Sequence, residues 1–143
     1  MRHIFDEDGF CVLRGLVDPA PIRAALAEFL TDEAPWLGGR AINYTHGQVN
    51  SIHAIDHEFF RRLIASDDMI RVANGFLGEQ AVPRAVECFA KPAQVGLPSP
   101  WHQDNAYWCA DPPNGLTIWM ALDASDAGNG GLMYVRGSHR LGL

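Results

Sequence analysis

The stretch SPWHQDNAYW, residues 99–108, places a histidine and an aspartate two positions apart among three aromatic side chains. In an extended strand side chains alternate between two faces, so His102 and Asp104 would point the same way as close neighbours. An imidazole and a carboxylate on one face could serve a metal ion, a proton in transfer, or water over a polar surface. With one more histidine they would form the triad that holds Fe(II) and leaves positions open. The plainer alternative is a His–Asp pair that hydrogen-bonds to itself on a half-buried sheet face.

The first half of the chain, which must support this stretch, has helical patterns. A helix is predicted to begin at Asp18 with a proline in its first turn, and its apolar residues recur at the spacing of a helix packed on a core. These apolar residues are Ile22, Ala25, Leu26, Phe29 and Leu30. A second helical region is predicted over about 56–76, with a new start at Ser66 and a stop at Gly78. A short strand, FCVLRGL, is predicted before both at residues 10–16.

After Pro83 the pattern changes to short β-like runs separated by turn clusters such as DPPNG and DAGNGG. The runs are AVECFAK (85–91), PWHQDNAYW (100–108), LTIWMAL (116–122) and GLMYVRG (131–137). Helices followed by strands favour an α+β class, in which N-terminal helices pack on an antiparallel sheet or barrel.

Composition excludes several function classes. A chain of 143 residues with 48% hydrophobic and 20% charged residues is typical of one folded domain. The net charge of −6 and the scattered basic residues give no footprint for nucleic acid. No apolar run reaches the roughly 20 residues of a bilayer span, and the start has acids where a signal peptide needs an apolar core, so no membrane partner and a cytoplasmic location are expected. Cys11, Cys88 and Cys109 share no metal-binding spacing and are expected to be buried reduced thiols.

From about Phe5 to its C-terminus the sequence resembles the phytanoyl-CoA dioxygenase family. The resemblance rests on FAKPAQVGLPSPWHQDNAYW (89–108), LTIWMALDASDAGNGGLMYVRGSHR (116–140) and the opening DEDGFCVLRGLVD (6–18). The family implies an oxygenase dependent on Fe(II) and 2-oxoglutarate, on a double-stranded β-helix or jelly roll.

The resemblance also implies roles for individual residues. By it, His102 and Asp104 are the first two iron ligands, and Trp119 lines the 2-oxoglutarate pocket. Asp104 separates the sequence from the related halogenases, which lack this carboxylate. The implied reaction is hydroxylation of a small organic substrate with O2.

Two features depart from the family pattern. Arg136 stands where the family usually has proline, and the chain ends three residues after GSHR. In the family, the second iron histidine and the arginine that binds 2-oxoglutarate come from later strands. A jelly roll needs about eight strands, and the patterns after Pro83 predict four. We therefore expect residues 1–143 to be the N-terminal part of one truncated domain of this kind.

The rival hypothesis is a non-catalytic fragment, or a small binding module of the same fold that lacks the third iron ligand. Such a chain would bind iron weakly and form no succinate. On either hypothesis, the 143-residue chain is expected to self-associate through exposed strand edges.

Other candidate residues have plainer explanations. His53 and His57 are four apart, but Arg61 stands where a zinc-protease motif needs its next ligand, so a solvated helix end is favoured. His139 lies in a turn-like segment that is structural in the family. Glycines at 128–131 predict a tight turn rather than a phosphate loop. Four polar side chains could equally face substrate or lie at the surface: Lys91, Gln103, Asn105 and Tyr107.

Overall fold

The computed structural model describes residues 1–32, 41–43, 50–52, 55–90 and 98–142. Its helices are α1 (Arg2–Asp8), α2 (Pro19–Asp32), α3 (Glu58–Ile64), α4 (Asp67–Leu77) and α5 (Asn105–Trp108), with a 3₁₀-helix at Ser138–Arg140. The strands are β1 (Ala41–Asn43), β2 (Asn50–Ile52) and β3 (Cys88–Ala90). No helix among the described residues is long and apolar enough to cross a bilayer.

The predicted starts and stops of the main helices are confirmed. The carboxylate of Asp18 accepts from the amide of Ala20 at 2.9 Å, where α2 begins. The hydroxyl of Ser66 accepts from the amide of Met69 at 3.4 Å and starts α4. Gly78 ends α4 in the left-handed conformation, with φ 79°. These features are local, because each cap depends on residues within one turn of it.

The chain before α2 differs from the prediction. Residues 2–8 form α1, and the segment 10–16 contains a turn at Arg14–Gly15 where a strand was expected. Gly9 and Gly15 both have positive φ, 84° and 68°, and these left-handed residues reverse the chain at either end of the segment. Phe10 of this segment stacks on Tyr134, whereas Val12 and Leu16 are exposed.

The three strands form one antiparallel sheet with β2 between β1 and β3. Ala41 pairs with Ile52, and Asn50 pairs with Ala90. The run predicted at 85–91 is thus confirmed as a strand at Cys88–Ala90, whereas β1 and β2 were not predicted. In residues 98–142 the structure pairs no strands, so the jelly roll remains a prediction.

The core lies between α2 and α3. It contains Ile22, Ala25 and Phe29 of α2, together with Ile55 and Phe60. This confirms the apolar face predicted for α2; the side chain of Leu30 is outside the described part of the chain.

The segment 116–122 joins this core from a distant part of the sequence. Met120 and Leu122 pack against it, and the Arg23 guanidinium donates to the Leu122 carbonyl. Exposure alternates along 116–122, with Thr117 and Trp119 on the exposed side. This period of two is typical of an extended segment with one face on a core.

The last described turn of the chain is bonded to α1. The amide of Gly137 donates to the carbonyl of Asp8 at 2.8 Å. His139 Nε2 lies 3.2 Å from the carbonyl oxygen of Asp6, and Arg140 donates to the same oxygen at 2.5 Å. A helix leaves its last four carbonyls without helical partners, so the 137–140 turn satisfies groups that α1 cannot. Basic side chains also complement the negative end of a helix.

The three cysteines are free thiols, but none is fully buried as expected: Cys11 and Cys88 are half-buried, and Cys109 is exposed. Burial raises the pKa of the Cys88 thiol, and burial likewise raises the pKa of the Cys11 thiol. Both groups therefore remain protonated at neutral pH.

The contact between Gly9 and His139 predicts unequal effects of two glycine substitutions. A Cβ at Gly9 would lie 2.4 Å from His139 Nδ1, whereas a Cβ at Gly15 meets nothing within 4 Å. Both positions have positive φ, so both alanine variants carry the same kind of backbone strain. We expect Gly9→Ala to lower the free energy of unfolding by about 1 kcal/mol more than Gly15→Ala, measured by urea denaturation.

A second background isolates the contact. With His139→Ala already present, the difference between the two glycine variants should vanish. Equal losses from Gly9→Ala and Gly15→Ala in the wild-type background would contradict the packing of the turn on α1.

Candidate functional site

His102 and Asp104 lie together, with His102 Nε2 3.5 Å from Asp104 Oδ1. Their side chains are 40% and 44% exposed, so the pair opens to solvent on one side. His102 Nδ1 is 2.8 Å from the carbonyl oxygen of Pro100. A carbonyl can only accept, so the proton of a neutral imidazole resides on Nδ1 and the lone pair of Nε2 faces the carboxylate.

Asp104 is placed by a turn and not by a strand, which corrects the prediction for residues 100–108. Its backbone is helical, with φ −58° and ψ −32°, and it is the N-cap residue of α5. Asn105 stabilises this turn through its side chain. Its Oδ1 accepts from the backbone amide of Ala110 at 2.9 Å, and its Nδ2 donates to the carbonyl of Ala110 at 3.2 Å. The two side chains still converge, because the bend brings Asp104 towards His102.

The Asp104 carboxylate is bonded to a segment that is distant in sequence. Its side chain makes no cap bond to α5. Instead Oδ2 accepts from the Thr117 hydroxyl at 2.6 Å. Oδ1 is the oxygen that faces His102. The two carboxylate oxygens therefore have different partners.

Gln103, between the two site residues, anchors the loop. Its side-chain amide donates to the carbonyl of Ser138 at 3.2 Å and to that of Gly142 at 2.7 Å. The side-chain amides of Gln103 and Asn105 thus both bind backbone groups. Lys91, the other polar candidate before the motif, lies outside the described residues.

Two tyrosines flank the pair. The ring of Tyr107 lies 5.5 Å from that of His102 in an edge-on arrangement. Tyr134 stacks on Phe10 with ring centroids 4.7 Å apart. Burial raises the pKa of Tyr134, and the negative charge of Asp104 raises it further. Tyr134 was not among the candidate residues predicted from the sequence. The available signal was its position in the run LMYVRGSHR, residues 132–140.

Trp119 lies on the same side of its segment as Thr117. Trp119 lies two residues after Thr117, whose hydroxyl bonds to Asp104. The Cα atoms of Thr117 and Trp119 are therefore about 7 Å apart at most. The Trp119 side chain is 45% exposed. A large part of this aromatic surface is therefore not buried in the core.

The other histidine candidates are used elsewhere. His139 binds the end of α1, in agreement with its predicted structural role. His57 is the N-cap of α3, and its Nδ1 accepts from Phe59 N at 3.3 Å. His53 lies outside the described part of the chain. Within the residues that the structure describes, no group of three or more His, Cys, Asp or Glu side chains is placed to hold a metal.

The chemistry of the donors nevertheless fits two ligands of one ion. Two ligands each about 2.1 Å from an ion stand about 3 Å apart at a right angle and farther apart at wider angles. The separation of 3.5 Å between Nε2 and Oδ1 agrees with such a pair. Imidazole nitrogen with carboxylate oxygen is also the donor set of the facial triad that binds Fe(II).

The family model for phytanoyl-CoA dioxygenase (PhyH) matches residues 5–143. The chain belongs to this family. The resemblance inferred from the sequence motifs is thereby confirmed.

Individual relatives support the same assignment at modest identity. Ectoine dioxygenase of Streptomyces anulatus is 29% identical over 147 residues, which cover 95% of this chain and 49% of that protein. Ectoine dioxygenase of Streptomyces coelicolor is also 29% identical, over 94% of this chain and 48% of the relative. Phytanoyl-CoA dioxygenase 1 of Oryza sativa subsp. japonica is 38% identical over 63 residues, 44% of this chain and 22% of that protein. The chain thus spans about half the length of the ectoine dioxygenases. No solved structure gives a significant match.

The electrostatic contact between Tyr134 and Asp104 predicts a measurable titration. We expect Tyr134 to deprotonate above the usual value of about 10, and Asp104→Asn to lower its pKa by removing the negative charge. The Tyr134 hydroxyl then keeps its proton to a higher pH in the folded protein than in the unfolded chain. The free energy of unfolding therefore falls as the pH rises past about 10. Absorbance at 295 nm, with Tyr134→Phe subtracted to isolate this phenol, measures the shift. An unchanged pKa in Asp104→Asn would argue against the contact.

Proposed function

We propose that the protein is an Fe(II)- and 2-oxoglutarate-dependent dioxygenase that hydroxylates a small organic substrate, with His102 and Asp104 as two of its iron ligands. The observation that carries the proposal is the orientation of the donor atoms. The proton of His102 is directed to Pro100 O, and Oδ2 of Asp104 is bonded to Thr117. His102 Nε2 and Asp104 Oδ1, which lie 3.5 Å apart, are the atoms left to serve as metal donors.

Iron and 2-oxoglutarate, when bound, supply oxidising chemistry in which O2 and the cosubstrate yield succinate, CO2 and a hydroxylated C–H bond. The protein's own residues perform the binding and the orientation. His102 and Asp104 hold the metal, and the Pro100 carbonyl fixes the imidazole. Trp119, on the exposed side of the 116–122 segment, offers a surface against which the cosubstrate packs, and Tyr107 covers the edge of the His102 ring.

The proposed fold is a jelly roll with N-terminal helices packed on it. The alternating exposure of 116–122 supports a strand there, since one face contacts the α2 core and the other faces the site. The proposal requires one further histidine ligand, which the described part of the chain does not bring to the pair.

The second candidate function is a non-catalytic binding module of the same fold. It is favoured by the presence of two metal donors, not three, in the described residues. The two candidates differ in a simple measurement: an oxygenase releases succinate, and a binding module does not.

The ligand assignment predicts specific losses of metal binding. We expect His102→Ala and Asp104→Ala each to weaken Fe(II) binding by 10-fold or more in anaerobic titration, and to abolish succinate formation. His3→Ala, an exposed histidine of α1, is the matched control and should leave both unchanged. Binding as tight in Asp104→Ala as in the wild type would remove Asp104 from the site. Iron binding without succinate in the wild type would favour the binding module.

The assignment of Trp119 predicts a separate loss. Trp119→Ala should weaken 2-oxoglutarate binding about tenfold, since an aromatic packing surface is worth about 1.5 kcal/mol, while Fe(II) binding persists. Trp119→Phe keeps an aromatic face and should retain most of the affinity. Calorimetric titration of the iron-loaded protein measures both variants. Unchanged cosubstrate affinity in Trp119→Ala would refute the role.

A further inference from the structure

We infer that Thr117 is a positioning residue, which fixes the Asp104 carboxylate so that one defined oxygen is presented to the metal. The inference rests on the proposed function, because it assigns a role relative to the proposed iron ligand. Its starting point is the 2.6 Å bond from the Thr117 hydroxyl to Asp104 Oδ2. A bond of this length from a hydroxyl to a carboxylate is charge-assisted and is among the stronger hydrogen bonds in proteins.

The bond makes the two carboxylate oxygens unequal. Oδ2 has a donor, and Oδ1 lies 3.5 Å from His102 Nε2. Without Thr117, the plane of the Asp104 carboxylate could turn over a wide range of angles about the last side-chain bond, because this torsion is broad. The hydroxyl therefore holds the carboxylate in one orientation. Less side-chain conformational entropy is then lost when a metal binds.

Thr117 is itself held in place by the core. It lies on the segment whose residues Met120 and Leu122 pack against α2, and Arg23 of α2 donates to the Leu122 carbonyl. Its β-branched side chain has few accessible rotamers. Contacts with α2 therefore help to position the Asp104 carboxylate through Thr117, even though the backbone of Asp104 belongs to a different turn.

The test separates the hydroxyl from the shape of the side chain. Thr117→Val keeps the branched shape and removes the donor, and Thr117→Ser keeps the donor. We expect anaerobic Fe(II) titration of the purified protein to show about 10-fold weaker binding in Thr117→Val, the range found for groups that orient metal ligands, and nearly wild-type binding in Thr117→Ser. Ile118→Val, which trims the half-buried neighbour, is the control for structural damage. It should lower the unfolding midpoint and leave Fe(II) affinity unchanged.

The outcomes distinguish this inference from the proposed function. If the wild type binds Fe(II) and Thr117→Val binds it equally well, the positioning role is overturned and the iron site stands. If Thr117→Val and Ile118→Val lose affinity in parallel with stability, the effect is structural and the role is again overturned. If the wild-type protein binds no Fe(II), the proposed function fails, and the inference fails with it.

Discussion

The bonds between the end of α1 and the 137–140 turn are the constraint on which the site depends. Three groups of the turn, the Gly137 amide and the His139 and Arg140 side chains, bind carbonyls of Asp6 and Asp8. This interaction joins parts of the chain about 130 residues apart. The turn then offers its own carbonyl at Ser138 to Gln103, the residue between the two proposed ligands. The α1 helix thus helps to set the position of the loop that carries the two proposed ligands.

The site is held from two directions. Gln103 binds the turn that is anchored on α1, and Asp104 binds Thr117, whose segment is anchored on α2. Both bonds come from neighbouring residues of one short loop and point to different supports. Two hydrogen bonds to different supports restrict the orientation of this loop, and with it the His102 and Asp104 side chains, more than either bond would alone.

The features that were predicted correctly from the sequence are those that depend on neighbouring residues in the chain. Helix boundaries at Asp18, Ser66 and Gly78 depend on caps within a few residues, and the structure has them there. The closeness of His102 to Asp104 was also predicted, but from the pleat of a strand, whereas a helical turn at Asp104 produces it.

What the sequence could not predict depends on distant partners. The Thr117 bond to Asp104 spans 13 residues, and the Gln103 bond to Gly142 spans 39. No spacing rule connects such positions. The charge of Asp104 also reaches Tyr134, 30 residues further along the chain, and only the folded chain shows this. For the same reason α1 was missed, because its carbonyls are satisfied by a turn near the other end of the sequence.

The exposure of the site residues bears on how an oxidising reaction could be shielded from water. Tyr107 is 69% and Trp119 45% exposed, and the run 132–135 beyond the tight turn is about half exposed or more at every position. These apolar surfaces do not shield the donors by themselves. Since desolvation strengthens electrostatic interactions and prevents side reactions, effective shielding requires something to lie on these aromatic faces. Under the proposed function, a cosubstrate packed on Trp119 would cover part of this exposed aromatic surface, so binding of the cosubstrate would itself contribute to the exclusion of water.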